Sequence, residues 1–486
     1  SKGRFTQSVN IDVNTGKFGS YTSYRRQQAE GWQLNPYEEN SKTHELEETG
    51  KVASTGFYAN TVNQKFTFDA TDKLSFYARG GYYDNKTRRP YEAYDYNILH
   101  ETFNYGIGAQ YMINKGNYIT ADCYADHFSS SYCFFKDNKT YNGKAGEEQV
   151  RKRTRNHNLS IKGIFKLGNR HKLSVGTEYI VDVLKSQTDN IAKEDAYTLA
   201  LFAQDEIKLL RNLQALIGVR YIYHENFKNH ATPNVALMYK PGKFNFRASY
   251  AAGFRTPTLS ELYATDIAKK NDRLTIGNLD LKPEKNNYFS LSAEYVHERF
   301  SVSVNAFYNN IRDMIDYNTI ATGDKAMEQY GHKEVRQRDN IAEAKVHGIN
   351  VSANAYLGAG FNLSGGYTHL NTQDVELEQP IDKSIKNAYN INAQWAHSWK
   401  IYRLNINLNG RFNSKRFSKS YGYAPEYQLW DLNTRHSFNL KSVIIEPGCG
   451  MENLFDYMDD RPYNSNYATL TPGRSFYISL SLKFKS

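Results

Sequence analysis

Arg474-Ser-Phe-Tyr-Ile-Ser-Leu-Ser-Leu-Lys-Phe484 decides how this 486-residue chain is read. Phe476, Ile478, Leu480, Leu482 and Phe484 fall on one side of an extended segment, with Ser475, Tyr477, Ser479, Ser481 and Lys483 on the other. Strand side chains alternate between faces, so this period of two makes one apolar and one hydrophilic face. The pattern recurs upstream. Leu404, Ile406, Leu408 and Phe412 oppose Asn405, Asn407, Asn409 and Arg411. Phe361, Leu363 and Tyr367 oppose Asn362, Ser364 and Thr368, and Val302, Val304, Ala306 and Tyr308 oppose Ser301, Ser303 and Asn305.

A soluble sandwich alternates in the same way, so the connections must separate the two architectures. Tight joins occur at Asn114–Asn117, Leu167–Arg170, Pro241–Lys243, Glu298–Arg299 and Leu357–Gly360. Long polar stretches lie between them, near 84–102, 128–153, 255–287, 312–340, 370–387 and 456–473. Alternating short and long connections are the asymmetry of an outer-membrane barrel, with short periplasmic turns and long extracellular loops. The expected fold is all-β, a transmembrane antiparallel β-barrel. About 21 strands can be counted, and a single-chain bacterial barrel needs an even number, so roughly 22 are expected, one being missed or preceding Ser1. No repeat of ~40–45 residues marks a propeller.

Composition agrees with that reading. Aromatics make up 14% of residues, led by 39 Tyr and 26 Phe, an excess that the two interfacial girdles of a barrel would absorb. Tyr477 and Phe484, near opposite ends of the last segment, are expected to serve there. Three cysteines exclude a disulfide scaffold. No run approaches the ~20 apolar residues of a helical span, and the mean hydropathy of −0.70 is compatible with apolar surface spread over alternate residues. The chain opens on Ser1 with no charged-then-apolar leader, as expected of a mature or trimmed sequence.

Several motifs carry a family resemblance. Gly253-Phe-Arg-Thr-Pro-Thr-Leu-Ser-Glu-Leu-Tyr263 is followed by Gly277-Asn-Leu-Asp-Leu-Lys-Pro-Glu284, then by a strand pair at 288–297 and 300–311. Asn340–Asn350 follows, with Gly348-Ile349-Asn350 read as the start of a strand, and then Met451-Glu-Asn-Leu-Phe-Asp-Tyr457. In this order and spacing the set resembles the barrel of TonB-dependent outer-membrane transporters, most clearly over 240–486. The resemblance singles out Phe254, Arg255, Thr256, Pro257 and Glu261 in the first loop motif, Asn278, Leu279, Asp280 and Leu281 in the second, and Asn453, Leu454, Phe455 and Asp456 near the barrel end. It implies TonB and a plug domain as partners. The plug is not in this sequence, so it is expected to have been removed, left out or supplied as another chain. The family usually ends on the last strand's aromatic residue, whereas Lys485 and Ser486 follow Phe484 here.

Catalysis is not expected: there is no Gly-x-Ser-x-Gly elbow, phosphate-cradling loop or His-Glu-x-x-His pair. Arg255 and Glu261 are read first as shaping a long loop and second as ligand contacts. Asp456, Asp459 and Asp460 are weak Ca²⁺ candidates against a solvated acidic loop. The net charge is +10, and Arg151-Lys-Arg-Thr-Arg155 is a basic run, read as a solvated loop; basic residues that line the mouth or lumen and attract anionic ligands, or that contact outer-membrane lipid phosphates, are the alternatives. No recognition helix or stacking sheet accompanies it, so nucleic acid is not an expected partner. Haem receptors of the family typically carry a His between the two loop motifs, and Phe254 to Asn278 contains none. The favoured function is TonB-energised uptake, with cobalamin or another corrinoid first because the barrel is short for the family, a ferric siderophore second and haem third. A surface lipoprotein cap suits some members. A passive pore and a soluble β-rich binding protein are the competing readings.

Overall fold

The computed structural model describes residues 3–40, 43–268, 272–466 and 471–484; Lys485 and Ser486, the departure noted at the end, lie outside them. The chain is a meander of long strands. β1 (Arg4–Thr15) and β2 (Phe18–Ala29) form the first hairpin, and the small pair β3 (Tyr37–Glu39) and β4 (Leu46–Glu48) sits in the loop beyond it. Next come β5 (Gly56–Asp69), β6 (Leu74–Arg88), β7 (Tyr96–Asn114), β8 (Asn117–Phe134), β9 (Glu148–Leu167) and β10 (His171–Ser186). They are followed by β11 (Ile191–Leu210), β12 (Leu213–His224), β13 (Lys228–Tyr239) and β14 (Phe244–Arg255).

The loop after β14 carries α1 (Leu259–Tyr263), β15 (Thr265–Ala268) and β16 (Arg273–Ile276). β17 (Glu284–Val296), β18 (Phe300–Thr322), α2 (Gly323–Tyr330), β19 (Glu334–Gly358), β20 (Phe361–Asp374), β21 (Asn387–Trp399) and β22 (Tyr402–Asn413) continue the meander. After the small pair β23 (Arg416–Ser418) and β24 (Gly422–Ala424), it ends on β25 (Tyr427–Asn439), β26 (Val443–Glu452) and β27 (Ser475–Phe484).

Among the described residues one sheet of 23 strands results, of which β15 and β16 belong to a loop, leaving 21 that follow one another antiparallel. β1 and β27 have only one strand neighbour each among the described residues. With 21 strands they run in the same direction, so one further antiparallel strand is what closure at about 22 requires. At one end every join is short, as at Gly16 and Gly242, whose φ of 67° and 64° suits glycine. The long connections all gather at the other end.

Register sets the two faces. Phe66 pairs with Ala78, Ala78 with Ile107, Ile107 with Cys123 and Cys123 with Leu159, so one continuous apolar face runs around the wall. The last strand joins it: Ile478 and Phe476 are 89% and 72% exposed. A soluble protein would bury such a band; hydrocarbon covers it here. Aromatics edge the band at both heights. Tyr179, Tyr197 and Tyr223 pack in series at 5.9 and 6.0 Å on the loop side, and Trp399, Tyr402 and Phe438 at 5.4 and 5.0 Å on the turn side. The opposite face is polar, as where Asn392 donates to Asn407 and Asn409 across the lumen wall.

Three expectations need correction. Tyr477 is not a girdle residue: it shares the inner face with Ser479, and its ring fills the space beside Gly450. Gly348-Ile349-Asn350 does not start a strand but lies inside the 25-residue β19. Much of 84–102, 128–153 and 312–340 is strand, because β6 to β9, β18 and β19 run on well past the ~10 residues that cross a bilayer. Polar composition there reflects a wall standing in water above the membrane.

Candidate functional site at the extracellular rim

The loop motifs fold into a latch above β14. Thr258 caps α1 reciprocally: its hydroxyl accepts from Glu261 N at 3.2 Å, while Glu261 Oε2 accepts from Thr258 N at 2.8 Å. That places Glu261 beside Arg255, whose Nη1 donates to it at 2.9 Å. Arg255 also grips Glu284, from Nε at 2.8 Å and from Nη2 at 2.5 Å. The two carboxylates are 14% and 15% exposed. Burial pushes both carboxyls up, but Arg255 and backbone N–H donors (Thr258 to Glu261, Ile315 to Glu284) outweigh it and hold both below their ordinary values. Every guanidinium donor used points at protein, which favours the loop-shaping reading of Arg255 and Glu261.

The remaining loop-motif residues serve the same structure. Leu281 packs with Leu262 and Ile315 in a small core, joined by Phe227 and Tyr263. Pro257 is buried, Phe254 stacks on His230 at 4.7 Å, and the Asn278 side chain accepts from Asp280 N at 2.9 Å. Leu279 is exposed. Asn340 ties the loop to the β18–β19 hairpin, donating to the carbonyls of Lys282 and Asp313. β16 pairs in parallel with β19, so this loop and that hairpin form one raised wall.

The barrel-end motif is a turn held by Asn453. Its buried side chain accepts from Tyr457 N at 2.9 Å and donates to Tyr457 O at 2.7 Å, at a φ of 53°. Leu454 N donates to Trp430 O, and Phe455 sits edge-on to the Trp430 ring. Asp456 accepts from Arg474 N at 2.6 Å, and Asp459 is held by Arg461 at 2.8 and 2.6 Å. The three aspartates are therefore not brought together. Among the described residues no group of three His, Cys, Asp or Glu side chains is arranged to hold a metal ion, and the Ca²⁺ candidates gain no support.

An aromatic and cationic cluster, unforeseen from sequence, lies at the loop ends of β7, β8 and β9 and in the loops beyond them. Tyr96 and Tyr132 stack at 4.0 Å, and Tyr141 meets both edge-on at 5.8 and 5.2 Å. Arg151 lies over Tyr141 at 4.9 Å and Tyr132 at 5.4 Å; Arg89 lies over Tyr94 at 3.8 Å and Tyr96 at 5.0 Å. Burial, reinforced by Tyr96, raises both the Tyr132 and Tyr141 phenols, which stay protonated donors. Half-buried rings with cations on their faces suit a bulky ligand that is anionic or aromatic. The advance signals were the tyrosine excess, which the girdle reading had absorbed, and Arg151 in the basic run, which was read as a solvated loop.

The sequence matches the family described as TonB dependent receptor-like, beta-barrel, over residues 4–453. This chain belongs to that family. As a TonB-dependent receptor barrel it resides in the outer membrane. The ferric enterobactin receptor of Pseudomonas aeruginosa, as a mutant, superposes with a TM-score of 0.81 at 16% identity, covering 99% of this chain and 77% of that one. The siderophore receptor PirA of Acinetobacter baumannii gives 0.76 at 14% identity, with coverage of 99% and 77%. The copper transporter OprC gives 0.75 at 11% identity, with coverage of 99% and 80%. These likenesses establish the fold of the TonB-dependent receptor barrel.

Proposed function

We propose that this receptor imports a ferric siderophore, which places that ligand ahead of the cobalamin ranked first from sequence. The observation that carries the reading is the rim cluster, where Arg89 and Arg151 lie on the faces of Tyr94, Tyr96, Tyr132 and Tyr141. Neighbours described as siderophore receptors support it. The argument for cobalamin relied on a small extracellular volume, and β18 and β19, at 23 and 25 residues, form a tall wall instead. A plug of roughly 100–150 residues, a typical domain size, fills the lumen and passes the pull of TonB to the bound ligand. The barrel positions ligand and breaks no bond.

Binding of ferric enterobactin, cyanocobalamin and haemin to the barrel with its plug, followed by tryptophan quenching, tests this directly. Siderophore binding that Arg151→Ala weakens roughly tenfold is expected. Cobalamin binding without siderophore binding restores the earlier order.

A further inference from the structure

The basic run at 151–155 is not a loop. It lies on β9, and the strand divides its charges between two sides. Lys152 lies 3.6 Å from Asp189, and Arg151 serves the tyrosine cluster and donates to Gln187 at 2.9 Å. Arg153 and Arg155 take the other side, in step with His157, Leu159 and Ile161, which is the outer wall of the barrel. Lys185 of β10 stands opposite Arg153 in register, and Tyr179 stands opposite Leu159.

Arg153, Arg155 and Lys185 are all exposed, and none makes an ion pair or side-chain hydrogen bond among the described residues. Two acids of this wall are already occupied, and a third, Glu148, stands at the loop end of β9 opposite Cys133. Asp195 accepts Lys193 at 3.1 Å, and Glu101 accepts the Tyr82 hydroxyl at 2.8 Å. The height of the three cations is informative. Arg155 lies four residues beyond Leu159, about 13 Å along a strand and less along the membrane normal once tilt is included. That is just outside the ring level of Tyr179, Tyr197 and Tyr223, where lipid headgroups begin. Unpaired cations on a lipid-facing wall at headgroup height match phosphate rather than a polypeptide.

We propose that Arg153, Arg155 and Lys185 form a binding site on the outside of the barrel for a phosphorylated glycolipid headgroup of the outer leaflet. The site is separate from the rim cluster, faces away from the lumen and is independent of the transported ligand.

The test uses the full chain in nanodiscs and three probes: bis-phosphorylated lipid A, the same lipid with both phosphates removed, and inorganic phosphate. Wild-type barrel is expected to retain lipid A in a salt-sensitive way, and Arg153→Gln/Arg155→Gln/Lys185→Gln is expected to lose at least about tenfold in affinity. Lys285→Gln, a charge change on another part of the wall, should retain it. Heat-dependent gel mobility reports whether each barrel is folded; should the triple variant fail to fold, the three single variants are measured, each expected to be weakened. Equal binding by the folded variants, or equal binding of the dephosphorylated lipid, overturns the proposal. Inorganic phosphate binding as tightly as lipid A assigns the site to free phosphate and overturns the lipid assignment.

Discussion

Replacing Arg255 by Ala removes the cation that holds Glu261 and Glu284 together. Both carboxylates are largely enclosed, at 14% and 15% exposure, whereas Arg255 itself is 42% exposed. Stripping one partner from a fully buried pair costs about 3–5 kcal/mol; solvent reaches this guanidinium, so about 2–3 kcal/mol is the expected loss. The loss should be local, because the latch is a loop and the barrel wall does not depend on it. Hydrogen exchange reads it at two amides, Leu262 N, which donates to Thr258 O, and Ile315 N, which donates to Glu284. Their exchange should quicken roughly 30- to 150-fold while amides of β21 and β22 stay unchanged. The pH dependence gives a second readout. In the wild type both carboxyls are held below the ordinary value of 4.5, so the stabilisation is present above pH 4.5 and fades as pH falls through the folded values. Without Arg255 only the Thr258 and Ile315 donors oppose burial, so both carboxyls should rise and the variant's loop should lose less protection on acidification than the wild type's. Unchanged exchange in Arg255→Ala, or an equal loss on acidification in both proteins, would refute the latch.

Other consequences can be checked separately. Leu480→Arg on the lipid face should cost about 2–4 kcal/mol near the midplane, and Ser481→Arg on the inner face much less, read by urea unfolding in lipid vesicles. Gly410 receives the Trp430 ring, and an added Cβ would meet it at 2.6 Å, so Gly410→Ala should shift tryptophan emission and cost about 1–3 kcal/mol. Asn453→Ala leaves Tyr457 N and O without their side-chain partner and should lower stability by about 1–3 kcal/mol, measured in the same assay.

The wall was legible in the sequence because a lipid-facing barrel needs strict alternation. Register keeps Leu404, Ile406 and Leu408 on one face with Leu432 and Thr434 of β25, so period two survives from residue to architecture. Tight turns were legible for the same local reason. Tyr477 misled because composition alone cannot separate an aromatic in a girdle from one that fills the space beside a glycine across the sheet. The heights of β18 and β19 were hidden because strand rising through water loses its apolar face and resembles a loop in composition. The rim cluster was invisible because its members, Arg89, Tyr96, Tyr132, Tyr141 and Arg151, come from separate strands and loops and meet only through register. The loop motifs were visible as motifs, but their structural use depends on Glu284 and Asn340 reaching Arg255 and Lys282 across the fold.

The central claim is that one face of these strands meets lipid and the other a polar lumen. Site-directed spin labelling tests it directly, in a background where Cys123, Cys133 and Cys449 are replaced by serine. Labels replacing Leu404, Ile406, Leu408, Ile478, Leu480 and Leu482 in turn should be accessible to oxygen dissolved in lipid. Labels replacing Asn405, Asn407, Ser479 and Ser481 should be shielded from it. Equal oxygen access on both faces, or none on either, would contradict the membrane barrel and the transport function built on it.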